Sequence, residues 1–276
     1  MKIYSSAKIN LNLTINKEII NDLHTLTTLM MPISLFDEIE IHEIESDNDI
    51  IEFDPQINIK EESTIHKALN SLRSINQFEQ RFKIRVNKNI PVEAGLGGGS
   101  SNAGSLIKYL STKYNLISPE PSIIANNIGS DVPFFIDGQT AQVSGVGELV
   151  TSVQIADPIC LLIATPHETL STAKVFEVFD NQSEYEATET KIYNEIQISN
   201  NLWNSAITIE PILSQHKEYL EAIIGEEFFM SGSGTTLFCF GDEDELNHKK
   251  EKIDTSRFRL ICVTKKIDCS LLQEAD

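Results

Sequence analysis

Basic residues are scarce in this chain: 22 Lys and Arg stand against 41 Asp and Glu in 276 residues, a formal net charge of −19 at pH 7. That balance excludes the positive surface with which a protein reads nucleic acid phosphates. No local cluster of Lys and Arg offers a footing on anionic lipid either. Long apolar runs are also missing. The longest, such as Ile159–Ala164, fall far short of the ~20 residues that cross a bilayer as a helix. The segment Met1–Lys8 has no signal-peptide core, so the expectation is a cytoplasmic protein with neither nucleic acid nor membrane as partner. Cysteine is sparse and contains no Cys-x-x-Cys pair. Cys160, Cys239, Cys262 and Cys269 are expected to be reduced, mostly buried thiols rather than a zinc or disulfide framework. No Gly-Lys dipeptide occurs, which excludes a Walker A loop, and no Gly-x-Ser-x-Gly elbow points to a serine hydrolase. His42-Glu43 and His167-Glu168 each lack the second histidine of a zinc protease helix.

What is present suffices for real cores: 41% of residues are hydrophobic. The length predicts two domains, and the polar stretch Thr151–Pro158 puts the boundary near 150, dividing residues 1–150 from 151–276. From Lys8 to Ile15 the pattern alternates, with Ile9, Leu11, Leu13 and Ile15 on one face and Lys8, Asn10, Asn12 and Thr14 on the other. Asp37–Ile44 alternates acid with isoleucine, as a half-exposed strand with a solvated acidic face would. Ser46–Glu62 reads as an acidic loop, Thr64–Leu72 as a helix and Phe82–Val86 as a strand. Ser118 as N-cap and Pro119 in the first turn predict a helix to about Ile128. Farther on, Ile159–Ala164, Leu237–Phe240 and Leu260–Thr264 read as strands, Thr172–Phe179 as a helix capped by Ser171, and Ser231–Gly234 as a small-residue turn.

The densest glycine segment is Gly95-Leu96-Gly97-Gly98-Gly99-Ser100-Ser101, followed by Ala103, Leu106, Ile107 and Leu110 at helical spacing. Glycines at a helix start let the backbone approach a ligand, and the free N–H groups and the positive end of the dipole favour phosphate oxygens. The plain alternative is a flexible turn, but this density favours phosphate. Ser100 and Ser101 can cap the helix or offer hydroxyls to phosphate or a metal ion. Lys8, Asn10 and Asn12 form a polar row of the kind that usually faces solvent, and a lone Asp131 after Gly129-Ser130 is more often a turn former. Brought together beside the glycine loop, Lys8 and Asp131 could orient a hydroxyl and receive its proton.

Taken in order, Ser6-Ala7-Lys8-Ile9-Asn10-Leu11, Pro91–Asn102, Gly129-Ser130-Asp131-Val132-Pro133 and Ser231-Gly232-Ser233-Gly234 resemble the motifs of the GHMP kinase superfamily. His24-Thr25-Leu26 and Ser-Asp-Val-Pro-Phe-Phe point to its branch acting on a cytidylyl sugar alcohol. The resemblance implies an α+β, two-domain GHMP kinase fold: an N-terminal domain like ribosomal protein S5 domain 2, a C-terminal ferredoxin-like domain, and the substrate between them. It implies phosphorylation of the 2-hydroxyl of a cytidylyl methylerythritol with ATP and Mg²⁺, on the non-mevalonate route to isoprenoid precursors. Lys8 and Asp131 match the catalytic pair. Pro91, Val92, Glu93, Ala94, Gly95, Leu96, Gly97, Gly98, Gly99, Ser100 and Ser101 match the ATP phosphate loop, with Lys88 near the adenine. Asn10, His24, Thr172 and Phe176 match the substrate side, His24 at the cytosine edge and Phe176 stacking on the base. Leu23 stands where the family usually has a tyrosine, offering the base apolar contact without a π-face. Another small alcohol as acceptor, or a nucleotide sensor without turnover, are the competing readings; metal ligands and oligomeric state are not indicated.

Overall fold

The computed structural model describes residues 1–56, 62–156, 158–182 and 190–273. The chain opens with a long antiparallel pair, β1 (Lys2–Ile20) and β2 (Leu23–Ile44), and adds β3 (Ile50–Asp54), α1 (Thr64–Ile75) and β4 (Arg81–Asn87). Then come α2 (Gly98–Tyr114), α3 (Pro121–Asn127), α4 (Val132–Asp137), β5 (Ala141–Gly145) and β6 (Leu149–Ser152). A further run holds β7 (Cys160–Pro166), α5 (Thr172–Asp180), β8 (Lys191–Tyr193), β9 (Ile196–Asn200), α6 (Trp203–Ile209) and α7 (Ile212–Ile224). The chain ends with β10 (Phe229–Met230), β11 (Leu237–Phe240), α8 (Glu243–Lys250), β12 (Phe258–Lys265) and β13 (Leu271–Gln273).

Among the described residues the strands form two sheets. The larger runs β3-β4-β2-β1-β9-β8, with β13 on β1 and β5 and β6 beside β2; the smaller runs β10-β11-β7-β12. Helix α1 forms as its spacing predicts, burying Ile65, Ala68, Leu69 and Leu72, with the Ser63 side chain accepting from the His66 N–H at 3.3 Å. Together with α2 it covers one face of the large sheet around Phe82, Ile84, Leu106 and Leu110. A second core joins β1 to the small sheet through Ile9, Leu11, Leu161 and Ile163, and a third joins Leu13 and Ile15 to α5, α6 and α7.

Five expectations need correction. Of the four thiols, all free, only Cys239 is buried, and Cys160, Cys262 and Cys269 are half-buried. The alternation of β1 does not run through: Asn10 pairs with Met30 but Asn12 with Leu29, so Leu11 is an extra residue in a β-bulge. One extra residue exchanges the faces, and Leu13 and Ile15 come to the side occupied by Lys8 and Asn10. Asn12 holds the bulge, accepting the Leu29 N–H at 2.6 Å. Asp37 is not part of a solvated acidic face but fully buried. Within Ser46–Glu62, Ile50–Asp54 is a strand parallel to β4; residues 57–61 lie outside the described chain. Finally, α3 starts at Pro121, not at Pro119, because Pro121 holds Glu120 extended (φ −59°, ψ 138°) and itself takes the first helical position.

Candidate active site

The glycine segment folds as its composition predicts. Gly97 caps α2 in the left-handed region (φ 70°), and the 17-residue helix runs from Gly98 with its amide-rich end at the mouth of a cleft of about 410 Å³. The cleft is lined by Lys8, Asn10, Lys88, Pro91, Val92, Glu93, Ala94, Gly95, Gly97, Gly98, Gly99, Ser100, Asp131, Thr172 and Phe176. Leu96 and Ser101 do not line it; both are buried behind the loop. The Leu96 carbonyl accepts the Lys8 N–H at 3.0 Å and so ties β1 to the loop.

The approach of the loop to its surroundings is close enough to demand glycine at two points. A Cβ on Gly97 would stand 2.9 Å from the Phe135 ring and 3.1 Å from Lys8 Cε. One on Gly95 (φ 73°) would stand 2.1 Å from the Ser231 carbonyl oxygen. Ser231 stitches this contact: its hydroxyl donates to the Gly95 carbonyl at 3.0 Å and accepts the Asn10 N–H at 3.2 Å. Asn200 donates to the carbonyls of Met230 and Gly232, 2.8 Å each, and Ser233 meets Thr172 at 2.9 Å. The turn Ser231–Gly234 thus joins the glycine loop to α5.

Lys8 and Asp131 meet. The Nζ–Oδ2 distance is 3.3 Å, with the Lys8 side chain 4% exposed and that of Asp131 23%. Lys8 also donates to the Asn10 carboxamide, whose Nδ2 donates to Thr28 Oγ1 at 2.9 Å. Asp131 stands at the N-cap of α4, which Pro133 and Phe134 anchor in the core. A buried ammonium is thereby answered by one carboxylate that remains open to the cleft.

Beneath the loop lies a second pair that the sequence did not reveal. Asp37 accepts from Lys88 Nζ, from the Asn89 and Ile90 N–H groups at 2.8 Å each and from Asn102 Nδ2 at 3.0 Å. Losing one partner of such a buried pair typically costs ~3–5 kcal/mol, so the shoulder of the loop is firmly held. Its only signal was an acid at the start of an acidic strand. Thr64, whose hydroxyl donates to the Gly99 carbonyl at 2.8 Å, also lines the cleft and was not singled out. Behind Glu93, Arg259 donates to the Glu93 carbonyl at 3.2 Å; burial holds its pKa below the ordinary guanidinium value, partly offset by the Glu93 charge.

The other end of the cleft is apolar, walled by Leu13, Ile15, Leu26, Met30, Phe176 and Leu202. The bulge in β1 creates this change of character. His24 does not line the cleft but stacks on Phe176 from behind, ring centroids 5.6 Å apart. Leu23, one residue away on a strand, faces the opposite side, where it borders a groove with Ile123 of α3. Leu23 therefore does not share the cleft wall with Phe176. Among the described residues no group of three or more His, Cys, Asp and Glu could hold a metal ion. Hard oxygen donors at the helix start are the Asp131 carboxylate and the Ser100 hydroxyl, with a buried Ser101 hydroxyl behind them that has no hydrogen-bond partner.

Comparison with known proteins bears on the family and the fold. Residues 63–139 match the family model described as GHMP kinases N terminal domain. A 4-diphosphocytidyl-2-C-methyl-D-erythritol kinase of Fusobacterium nucleatum is 33% identical over 273 residues, covering 92% of each chain. One from Caldicellulosiruptor bescii is 33% identical over 259 residues, 88% of this chain and 90% of that one. A crystal structure of 4-(cytidine 5'-diphospho)-2C-methyl-D-erythritol kinase superposes with TM-score 0.79 at 25% identity, over 96% of this chain and 98% of that one. A mevalonate kinase superposes with TM-score 0.63 at 15% identity, 97% of this chain and 99% of that one, which shows the shared α+β GHMP kinase fold.

Proposed function

Since this chain belongs to the 4-diphosphocytidyl-2-C-methyl-D-erythritol kinase family of GHMP kinases, we propose that its cleft moves the γ-phosphoryl group of ATP to the 2-hydroxyl of that cytidylyl sugar alcohol. The products are the 2-phosphate and ADP, a step toward isoprenoid precursors. The observation that carries the reading is the Lys8–Asp131 pair at the amide-rich start of α2. Phosphoryl transfer asks mainly for positioning and charge stabilisation. Asp131 orients the acceptor hydroxyl and takes its proton as the oxygen–phosphorus bond forms and the bond to the β-phosphate oxygen breaks. Lys8, fixed by Asn10, stabilises the charge developing on the transferred group. The residues Pro91 to Ser101 and the first amides of α2 hold the phosphates, with Lys88 anchored beside them by Asp37.

Mg²⁺ suits this site, because that ion takes few protein ligands and keeps waters and phosphate oxygens for the rest. Ser100 and Asp131 would hold it, and its charge would neutralise that of the phosphates. The apolar end takes the base, with Phe176 stacking on it and Thr172 and Asn10 placed along the acceptor. Residues 1–150 then serve as the ATP-binding domain and 151–276 as the second, the acceptor lying between them. No helix among the described residues is long and apolar enough to cross a membrane.

The test is ADP release by the purified protein with MgATP, comparing the cytidylyl acceptor with mevalonate, homoserine and no acceptor. Turnover with the cytidylyl compound alone is expected. Turnover with another alcohol would keep the kinase and change its substrate; none with any would favour a nucleotide sensor.

A further inference from the structure

The glycine loop is gripped from behind, on the side of the small sheet, at three successive residues. The Glu93 carbonyl accepts from Arg259 Nη2 at 3.2 Å, the Ala94 carbonyl from the Thr236 N–H at 3.1 Å and the Gly95 carbonyl from the Ser231 hydroxyl at 3.0 Å. Carbonyl oxygens engaged there are not presented to an anion in the cleft, and of the three donors only Arg259 carries a charge. A β-bulge delivers it. Phe258 of β12 pairs with Pro166 but Leu260 with Thr165, so Arg259 is one residue too many. Phe258 packs in the core of α5, α6 and α7, whereas Leu260 packs against the core that holds Ile90, Ala94 and Leu96. The extra residue falls at that change of face, where its side chain reaches the loop. Arg259 is half-buried, its Nε is buried without a hydrogen-bond partner, and among the described residues the Glu93 carbonyl is the one oxygen that answers its guanidinium. Glu93 has the matching deficit. It is the one non-glycine residue of the loop in the left-handed region (φ 51°), its side chain is exposed, and it shares with Asp131 the distinction of being an acid on the cleft lining. An uncompensated carboxylate at a phosphate loop opposes the approach of a polyanion.

We propose that Arg259 is a positioning residue of the phosphate loop: from the small sheet it ties down the Glu93 carbonyl and offsets the Glu93 carboxylate, so that the loop accepts a nucleoside triphosphate. This rests on ATP as the phosphoryl donor proposed above. The two functions need one side chain because both targets belong to Glu93. A guanidinium has donors to spare for a carbonyl and keeps its charge even where burial depresses its pKa, as it does here against the opposing pull of Glu93. Arg259 does not line the cleft, so it acts through Glu93 and not by touching the phosphates.

The experiment is calorimetric titration of the full chain with ATP at constant Mg²⁺, in 10 and 150 mM NaCl, for the wild type, Arg259→Gln, Arg259→Lys and the double variant Arg259→Gln with Glu93→Gln. The melting temperature of each variant controls for folding. In Arg259→Gln the Kd for MgATP rises about fivefold at the lower salt and about twofold at the higher, because the exposed Glu93 charge it uncovers is screened. Arg259→Lys, which keeps the charge, stays within about twofold of the wild type. Adding Glu93→Gln to Arg259→Gln brings the Kd back to within about twofold, a recovery that loss of packing alone could not give. An Arg259→Gln protein that binds MgATP as the wild type does would overturn the assignment. So would a Kd that rises equally with and without the Glu93 charge and equally at both salt concentrations, since Arg259 would then be packing only. Either result with a wild type that binds MgATP defeats this inference alone. A wild type that binds no MgATP defeats the reading of ATP as donor and this one with it.

Discussion

Lys8 and Asp131 divide the labour of the site by how much of each is exposed. A side chain 4% exposed cannot fold away from its place on β1, whereas the more open Asp131 can meet an incoming hydroxyl. Removing either leaves the α2 amides and the glycine loop in place. Lys8→Ala and Asp131→Asn are each expected to lower kcat by roughly 10²–10⁴, the range of a positioned proton acceptor or charge stabiliser, while ATP still binds. Single-turnover phosphoryl transfer together with calorimetric ATP binding checks both halves of the statement. Full activity in either variant would remove that residue from the chemistry. The sequence singled out both residues but could not bring them together, since 122 intervening positions say nothing of distance. Asp37 was misread for a related reason. An acid among alternating isoleucines looks solvated, and only the arrival of Lys88, Asn89, Ile90 and Asn102 from other elements makes it a buried anchor.

Two elements shape the cleft, and they differ in how openly the chain announces them. The turn into α2 was legible because its glycines are a local requirement: positive φ at Gly95 and Gly97 and close approach at both are written in the residues themselves. Gly97→Ala is therefore expected to be costly twice over. The left-handed conformation penalises any Cβ, and this Cβ would press on Phe135 and Lys8, together of order 2–4 kcal/mol. A melting temperature lowered by several degrees, with a fall in kcat as Lys8 is displaced, is the expected result. An unchanged melting temperature would show that the loop relaxes freely. The bulge at Leu11 was not legible, because Ile9, Leu11, Leu13 and Ile15 form an unbroken alternation. Only the pairing with β2 reveals that one residue is extra, and that slip gives a single strand a polar end, at Lys8 and Asn10, and an apolar end, at Leu13 and Ile15.

At the scale of the whole molecule, β1 takes part in three of the cores, and β13 returns to pair with its first residues, so one strand of the large sheet packs on the small sheet and lines the cleft as well. The small sheet carries three thiols whose pKa burial raises, Cys160 among them. Burial pushes Cys239 up to about 12 and Cys262 up to about 11 from an ordinary value near 9. A raised pKa in the folded state means that stability is intact below the unfolded value and is lost as pH climbs from about 9 toward the folded values. The melting temperature should hold between pH 7 and 8.5 and fall above pH 9. Cys239→Ala should start lower, from the volume removed, yet lose less between pH 8.5 and 10.5; equal slopes would mean that other groups govern the decline. The net charge of −19 acts over a longer range. ATP and a diphosphate acceptor are both anions, and they approach an acidic molecule in which Lys8, Lys88 and the first residues of α2 bring compensating positive charge to the lining of the cleft. Screening shortens the reach of the exposed carboxylates from roughly 30 Å at 0.01 M salt to about 8 Å at 0.15 M, while partly buried groups at contact distance are screened far less. Salt should therefore weaken the repulsion more than the binding. With Mg²⁺ held constant, kcat/KM for ATP is expected to rise between about 10 and 150 mM NaCl, opposite in sign to a phosphate site on a basic protein. A fall over that range would show that the positive field of the cleft reaches past the acidic surface and guides the nucleotide in.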